Sequence, residues 1–232
     1  MASTDKSLSD TESEQLLHVY TDIETDSFRA NQLLQIAAIT QNGLTFNTFI
    51  NPQGPLLLST VNFLQIYYYK GDLYRKGLKL QTKTTKEALI DFMSWIQDLN
   101  KPVILVYHNG FSFDCSVLVR HLLSLKIAIP SNLVKVGDTL PFFRTILKPP
   151  EVENHKLSTL SHYFGINQDM AHDALSDSIT LKLICEKFVA DKGADVSIIF
   201  KNCTRNIQDY VNKQLHDTPI PKLKTKNIKT QK

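Results

Sequence analysis

Four acidic side chains and one histidine occur along this chain in positions where they could act together on a phosphate. They are Asp22 and Glu24 in TDIETD, Asp114 in HNGFSFD, and His172 and Asp177 in AHDALSD. Carboxylates that converge on one point repel one another unless cations lie between them, a role suited to hard divalent ions. Two such ions about 3.5–4 Å apart can stabilise the attacking and leaving oxygens of a phosphoryl displacement. A histidine with a pKa near neutrality can accept the proton of the attacking water. The pattern therefore predicts metal-dependent hydrolysis of a phosphodiester.

The first acidic pair is expected to lie on a β-strand. The segment LLHVYTDIETD alternates with a period of two, and Asp22 and Glu24 fall on the same face. Side chains two residues apart on a strand point the same way, as a shared ion requires. A lone Asp-x-Glu pair is a weak signal on an exposed strand, but the run around this pair is apolar. Because buried carboxylates without partners are costly, we interpret the pair as functional.

The position of Asp114 has two interpretations. It follows the run VILVY, which is typical of a strand buried on both faces, and it begins a predicted helix. Aspartate is favoured as a helix cap. The carboxyl end of a strand is also where open α/β sheets place their sites, which favours a metal ligand. Asn109, in the intervening loop, could position a substrate or only cap that loop.

His172 and Asp177 are expected to lie on different elements. They are five residues apart, which is about 140° around a helix, so they cannot share one helical face. The simple solution places His172 in a loop and Asp177 one turn inside the following helix. Asp173 is then interpreted as the N-cap of that helix.

The order of the predicted elements is that of an α/β domain. LLQIAAIT and LTFNTFI, joined by Asn42-Gly43, form a hairpin with the first strand beside it, an antiparallel meander. A helix from Thr85, the strand VILVY, a helix from Asp114, the strand LVKVGDTL and further helices follow. We predict a mixed five-stranded sheet, with parallel strands after the meander, flanked by helices.

The domain itself is predicted to span residues 15–216. Residues 1–14 are polar and acidic and predict a disordered lead-in, and the lysine-rich residues 217–232 predict a disordered tail. Residues 56–83 are predicted to be an insertion of loop and short helix. Residues 195–215 are predicted to be one extra helix, because apolar residues recur there at intervals of four.

Composition and charge set weaker limits on function. The formal net charge is +3, although lysines cluster in the tail and between Lys70 and Lys86, where they suit a phosphate backbone or a solvated surface. No apolar run approaches the roughly 18 residues of a membrane span, and the N-terminus lacks the apolar stretch of a secretory signal. Three cysteines without metal-ligand spacing suit reduced thiols. We therefore expect no membrane association and an intracellular location, cytoplasmic or nuclear.

With these residues in this order, the chain resembles the DEDDh 3′-to-5′ exonucleases, which have an RNase H-like fold. The match runs from about Leu16 to about Phe188. The histidine type fits because that family places its histidine five residues before the last aspartate. HNGFSFD and AHDALSD, with KLSTLSHYFGI upstream, look like the three-prime repair exonuclease branch. One departure is Thr25-Asp26-Ser27 after the first motif, where many members have Thr-Gly.

The resemblance implies two bound ions, Mg²⁺ or Mn²⁺, and a role for each motif residue. Asp22, Glu24 and Asp177 would hold the ion that activates water. Asp22 and Asp114 would hold the second ion, and His172 would act as the general base.

The resemblance also implies a nucleic acid with a free 3′ end as the partner, DNA or RNA, and nucleoside monophosphates as products. Thr25 and Asn109 would position the last nucleotide. Similar domains also occur as non-catalytic modules for nucleic-acid binding or scaffolding, and a protein-interaction domain that uses residues 56–83 and 195–215 is a further alternative. All five motif positions are filled, which argues against a non-catalytic module. The sequence leaves a homodimer open.

Overall fold

The computed structural model describes residues 16–26, 32–167 and 172–217. The described strands are, in chain order, β1 (Leu17–Thr25), β2 (Leu33–Thr40), β3 (Thr45–Ile50), β4 (Ile66–Tyr69), β5 (Asp72–Arg75), β6 (Leu78–Lys79), β7 (Thr82–Lys83), β8 (Val103–Tyr107), β9 (Leu133–Asp138) and β10 (Thr204–Asn206). The described helices are α1 (Leu58–Leu64), α2 (Thr85–Asp98), α3 (Asp114–Ser124), α4 (Thr139–Ile146), α5 (Leu157–Tyr163), α6 (Ala174–Lys192), α7 (Ser197–Phe200) and α8 (Ile207–Asp217).

Within the described residues, seven strands form one mixed sheet in the order β10-β9-β8-β1-β2-β3-β7. Strands β1, β2 and β3 are the predicted antiparallel meander, and β8 and β9 continue the sheet in parallel. The α/β class is thus confirmed, and the five predicted strands form the centre of the sheet. The prediction of five strands in all is corrected by the edge strands β7 and β10. These have two and three residues, too few to leave a periodic pattern in the sequence.

Helices cover both faces of this sheet and fix which way β1 points its side chains. Val19 and Ile23 are buried against α2, α3 and α8. Tyr20 is buried on the other face, in the core that α4, α5, α6 and α7 complete. Asp22 and Glu24 share the face of Tyr20 and therefore point toward α6. A slip of one residue would exchange the two faces of β1 and turn Asp22 and Glu24 away from α6, so the register fixes where the acidic pair lies.

Helix α6 is fixed at both ends by residues suited to its caps. The carboxylate of Asp173 accepts a hydrogen bond from the backbone N–H of Ser176 at 3.1 Å, which confirms the predicted N-cap. At the other end Gly193 has φ 57°, a left-handed conformation that glycine adopts without strain. The N-terminal cap determines where Asp177 lies on the helix.

Residues 56–83 are more ordered than the predicted loop and short helix. After α1, strands β4, β5 and β6 form a separate antiparallel sheet. Ile66 and Leu73 turn inward and pack with Leu34 of the main sheet and Leu64 of α1. The three tyrosines that follow Ile66 lie in β4, since strands favour aromatic side chains. The sequence analysis missed this small sheet because its strands have only two to four residues.

Residues 195–215 do not form the one helix that was predicted. The segment divides into α7, β10 and α8, although it keeps most of its apolar spacing. Thr204 of β10 pairs with Gly137 of β9, and this pairing satisfies the backbone groups at an otherwise open sheet edge. Asn206 then accepts a hydrogen bond from the backbone N–H two residues on, at 2.8 Å, where α8 begins. Leu215, the last residue of the predicted apolar stripe, is 54% exposed.

The predicted lead-in and tail fall beyond the part of the chain that the structure describes, apart from Asp217 at the end of α8. None of the described helices combines the length and the apolar character that crossing a bilayer requires.

Candidate functional site

Three of the predicted carboxylates meet between the sheet and α6. Asp22, Glu24 and Asp177 each offer an oxygen, and these atoms lie within 4.8 Å of one another. The alternation of β1 supplies the first two, and the first turn of α6 supplies the third. Oxygens of acidic side chains at this spacing suit a hard divalent cation.

Burial and mutual repulsion raise the pKa of the carboxyl groups at this point. For Asp22 burial is the largest cause, and the charges of Glu24, Asp114 and Asp177 raise its pKa further. Burial and the charges of Asp177 and Asp114 raise the pKa of Glu24 to about 8, although the guanidinium of Arg75 opposes this shift. A cation among these groups would favour their ionised forms. The donor set therefore fits a bound metal ion better than free carboxylates.

Asp114 lies near this group without being one of the three. It is the first residue of α3, whose N-cap is Phe113, so the cap interpretation of Asp114 is wrong. Its buried carboxylate accepts hydrogen bonds from its own N–H and from the N–H of Ile23, but burial outweighs them and raises its pKa to about 7. The register of β1 with β8 ends at Tyr20, so β1 continues past β8 toward the start of α3.

The loop between β8 and α3 is held by a residue that was not predicted to have a role at the site, Asp138. Its carboxylate accepts hydrogen bonds from the backbone N–H groups of Asn109 at 2.8 Å and Phe111 at 3.0 Å. It also accepts the N–H of Leu140 at 2.9 Å as the N-cap of α4. An aspartate before a helix is a recognisable cap signal, but its bonds to the loop that leads to Asp114 depend on the fold.

The C-terminal helix holds the same loop from another side. The hydroxyl of Tyr210 on α8 lies 3.0 Å from the carbonyl oxygen of Phe111, to which it donates. The guanidinium of Arg205, in β10, lies 4.2 Å from the centroid of the Phe111 ring, within the range of a cation–π contact. Two elements of residues 195–215, β10 and α8, thus contact the loop before Asp114.

Gly110 is expected to be intolerant of a side chain. A Cβ atom at this position would lie 2.2 Å from the Cβ of Tyr107, which cannot move without its strand. Gly110→Ala should therefore displace the loop and destabilise the chain by about 1–3 kcal/mol, as overpacking does. Thermal unfolding measures this, with Ser112→Ala, an exposed position of the same loop, as the control. Equal melting temperatures for the two variants would contradict the predicted clash.

His172 lies in the loop before α6, as its spacing from Asp177 predicted. Its backbone N–H donates to Oδ2 of Asp177 at 3.2 Å. Its ring packs against the ring of Phe63, with 3.7 Å between the centroids. Partial burial lowers the pKa of His172 below its usual value. The ring is therefore neutral, and able to accept a proton, at neutral pH.

A cavity of about 330 Å³ opens beside the acidic group. Its lining residues are Ile23, Glu24, Thr25, Asp26, Ser59, Thr60, Phe63, Leu64 and Phe113. Thr25 is thus at the wall of this cavity. Asn109 is exposed in its loop, and it is not among the described residues that line the cavity.

Asp26, the departure from the family pattern, has a structural role beside this cavity. Its carboxylate accepts a hydrogen bond from the N–H of Leu57 at 3.0 Å, and its carbonyl oxygen accepts the hydroxyl of Thr60. These bonds join the end of β1 to α1, which carries Phe63 to the cavity.

Known proteins similar to this chain include several exonucleases. The model of the RNase T type exonuclease family matches residues 19–184. The chain is 29% identical over 197 residues to the chloroplastic and mitochondrial exonuclease DPD1 of Arabidopsis thaliana. That alignment covers 80% of this chain and 60% of DPD1. It is 34% identical over 91 residues to three prime repair exonuclease 2 of Mus musculus, over 36% of this chain and 38% of that one. The structure of E. coli exonuclease I in complex with a dA16 oligonucleotide matches with a TM-score of 0.55 and 17% identity, over 76% of this chain and 41% of that one. The chain thus spans less than two thirds of the length of each of these proteins.

Proposed function

Because the chain belongs to the exonuclease family of the RNase T type, we propose that it is a metal-dependent 3′-to-5′ exonuclease that releases nucleoside monophosphates. The observation that carries this proposal is the convergence of oxygens from Asp22, Glu24 and Asp177 within 4.8 Å. Family membership confirms the predicted resemblance, whereas the direction of digestion and the number of ions belong to the proposal.

Two divalent ions, Mg²⁺ or Mn²⁺, are the proposed cofactors. Asp22, Glu24 and Asp177 would hold one of them, and Asp22 and Asp114 would hold the other. When bound, such ions polarise the phosphate, activate water and stabilise the leaving oxygen.

His172 is the proposed general base, which takes the proton of the attacking water. Its loop lies at the start of the helix that carries Asp177, and its N–H is bound to that carboxylate at 3.2 Å. Phe63 covers one side of the ring, and the resulting partial burial favours the neutral form.

The cavity beside Glu24 is the proposed site for the base of the last nucleotide. Phe63 and Phe113 contribute aromatic surface to it, and base–aromatic stacking does not depend on the identity of the base. Thr25 is proposed to contact the terminal nucleotide from the cavity wall. Asn109 is proposed to contact it from the loop before α3. A nucleic acid as substrate is supported by the relatives and by the oligonucleotide bound to E. coli exonuclease I.

The activity is expected to fall in acid with a midpoint below about pH 6.5, provided that the chemical step limits the rate. Burial lowers the pKa of His172, so the ring stays neutral to a lower pH than an exposed histidine would. His172→Ala should lose about 10²–10⁴-fold in rate. The profile is measured with saturating Mn²⁺ at every pH, so that protonation of the carboxylates does not limit metal binding. A flat profile between about pH 5 and 8 would count against this base.

Digestion of 3′-labelled and 5′-labelled single-stranded DNA and RNA tests the proposed function directly. Mg²⁺, Mn²⁺ and EDTA are compared, with Asp177→Ala beside the wild-type chain. Mononucleotides released from the 3′ end only with metal, and lost in the variant, are the expected result. No degradation of any substrate would instead favour a non-catalytic binding or scaffolding module. The compartment and a homodimer remain predictions from the sequence.

A further inference from the structure

One side chain of the small sheet, Arg75 on β5, reaches the loop that carries His172. Its Nη2 donates to the carbonyl oxygen of His172 at 2.9 Å, and its Nη1 donates to Oδ2 of Asp173 in an ion pair. The side chains of Arg75 and Asp173 are only 14% and 11% exposed. Residues 66–80 thus contact the candidate site through a largely buried guanidinium.

The surroundings of this ion pair keep it in one geometry. The guanidinium of Arg75 lies 5.8 Å from the centroid of the Phe49 ring, and Nη2 lies 3.4 Å from the carbonyl oxygen of Leu64. The side-chain amide of Gln35 in β2 donates to the same Oδ2 of Asp173 at 3.3 Å. The side-chain oxygen of Gln35 accepts the backbone N–H of Ala174, the residue after Asp173, at 3.2 Å. The planar fork of arginine fixes the directions of its donors toward two acceptors, whereas the three donors of lysine share one nitrogen on a flexible stem.

His172 is the residue that needs such support. Its φ is 65°, which is uncommon for a residue other than glycine. A conformation of this kind persists only where neighbouring groups hold it. Its N–H is bound to Asp177 and its carbonyl oxygen is bound to Arg75, so contacts on both sides fix its backbone.

We propose that Arg75 is a positioning residue of the reaction, which holds the loop of His172 in the conformation that presents the imidazole to the site. This inference rests on the proposed function. Arg75 is not among the described residues that line the cavity beside Glu24, so it acts through His172 and not on the nucleotide. Strand β5 then supports the site through Arg75.

A double-mutant cycle separates this role from a general loss of structure. The variants are Arg75→Met, His172→Ala and the two together, assayed for kcat and KM on the p-nitrophenyl ester of thymidine 5′-monophosphate with saturating Mn²⁺. Arg75→Met should lower kcat about 10–100-fold, as loss of a supporting contact does, with KM changed less than about threefold. In the His172→Ala background it should change kcat less than about twofold, because the two residues act as one unit.

Two further variants serve as controls. Arg75→Lys keeps the positive charge near Glu24 but not the fork, so it should also lower kcat, which distinguishes positioning from simple charge. Lys79→Met removes the exposed ion pair with Asp72 on the same small sheet, 2.7 Å in the wild type, and should leave kcat unchanged. If Arg75→Met does not fold, the cycle is run with Arg75→Lys.

A wild-type kcat in Arg75→Met, or an equal loss of kcat with and without His172, would overturn the inference alone. A wild-type chain that cleaves neither the ester nor any oligonucleotide would overturn the proposed function, and the inference with it.

Discussion

Asp22→Asn is expected to abolish metal-dependent hydrolysis and at the same time to stabilise the metal-free chain. Asp22 is the residue proposed to contact both ions, and an amide of the same shape cannot replace its charge. Loss of one such electrostatic group costs on the order of 10³-fold in rate. Burial and four neighbouring carboxylates raise the pKa of Asp22, so without metal its ionised form destabilises the folded state. Removing it should therefore raise the melting temperature of the metal-free chain.

Initial rates with Mn²⁺ and thermal unfolding in EDTA, both at about pH 8, measure the two effects of Asp22→Asn. Asp98→Asn, at the exposed end of α2, is the matched control. It should leave the rate unchanged and change the free energy of unfolding by no more than about 0.5 kcal/mol. Near-full activity in Asp22→Asn would show that the metal assignment is wrong. If Asp22→Asn melts at a lower temperature than the wild type in EDTA, the charge of Asp22 does not destabilise the metal-free folded state.

Without divalent ions, the chain is expected to become less stable as the pH rises from about 5 to 8. The folded state holds protons on Asp22, on Glu24 with a pKa of about 8 and on Asp114 with a pKa of about 7, whereas the unfolded chain releases them near pH 4. The folded state therefore binds more protons in this window, and its stability falls as they dissociate. The stabilising contribution is complete below the unfolded pKa and is lost as the pH passes through the folded values. A loss of a few kcal/mol lowers the melting temperature by roughly 10 °C in a chain of this size.

Excess Mg²⁺ or Mn²⁺ should reverse this loss, because ions that bind only the folded state stabilise it by about 2.7 kcal/mol at a hundred times their dissociation constant. The measurement is a series of thermal melts across this pH range with EDTA or with either metal. Glu24→Gln should flatten the slope in EDTA. A melting temperature that rises with pH in EDTA, or that metal leaves unchanged at about pH 8, would contradict the carboxylate cluster as described.

Local periodicity explains which parts of the site could be predicted from the sequence. The alternation of β1 placed Asp22 and Glu24 on one face, and the helical angle between His172 and Asp177 placed the histidine in a loop. Both inferences need only the geometry of one element. The contacts of Arg75 could not be inferred in this way, because its partner Asp173 lies 98 residues away along the chain.

Other parts of the structure were missed for the same reason. Asp138 bonds to Asn109 across 29 residues, and no spacing in the sequence identifies that pair. The edge strands β7 and β10 are stabilised by the neighbouring strand more than by their own residues, so only the assembled sheet defines them. The same holds for residues 195–215, where an apolar repeat of four is compatible with one helix or with shorter elements packed on the same core.

The segment after residue 184 has a consequence for modularity. The family match ends there, and a chain cut at that point would keep every proposed metal ligand and His172. It would also leave the edge of β9 without β10 and the loop before Asp114 without Tyr210 and Arg205. The stretch that the family match covers is therefore shorter than the stretch that holds the loop before Asp114 in place. A fragment designed to keep the proposed metal ligands in this geometry would therefore have to extend through α8.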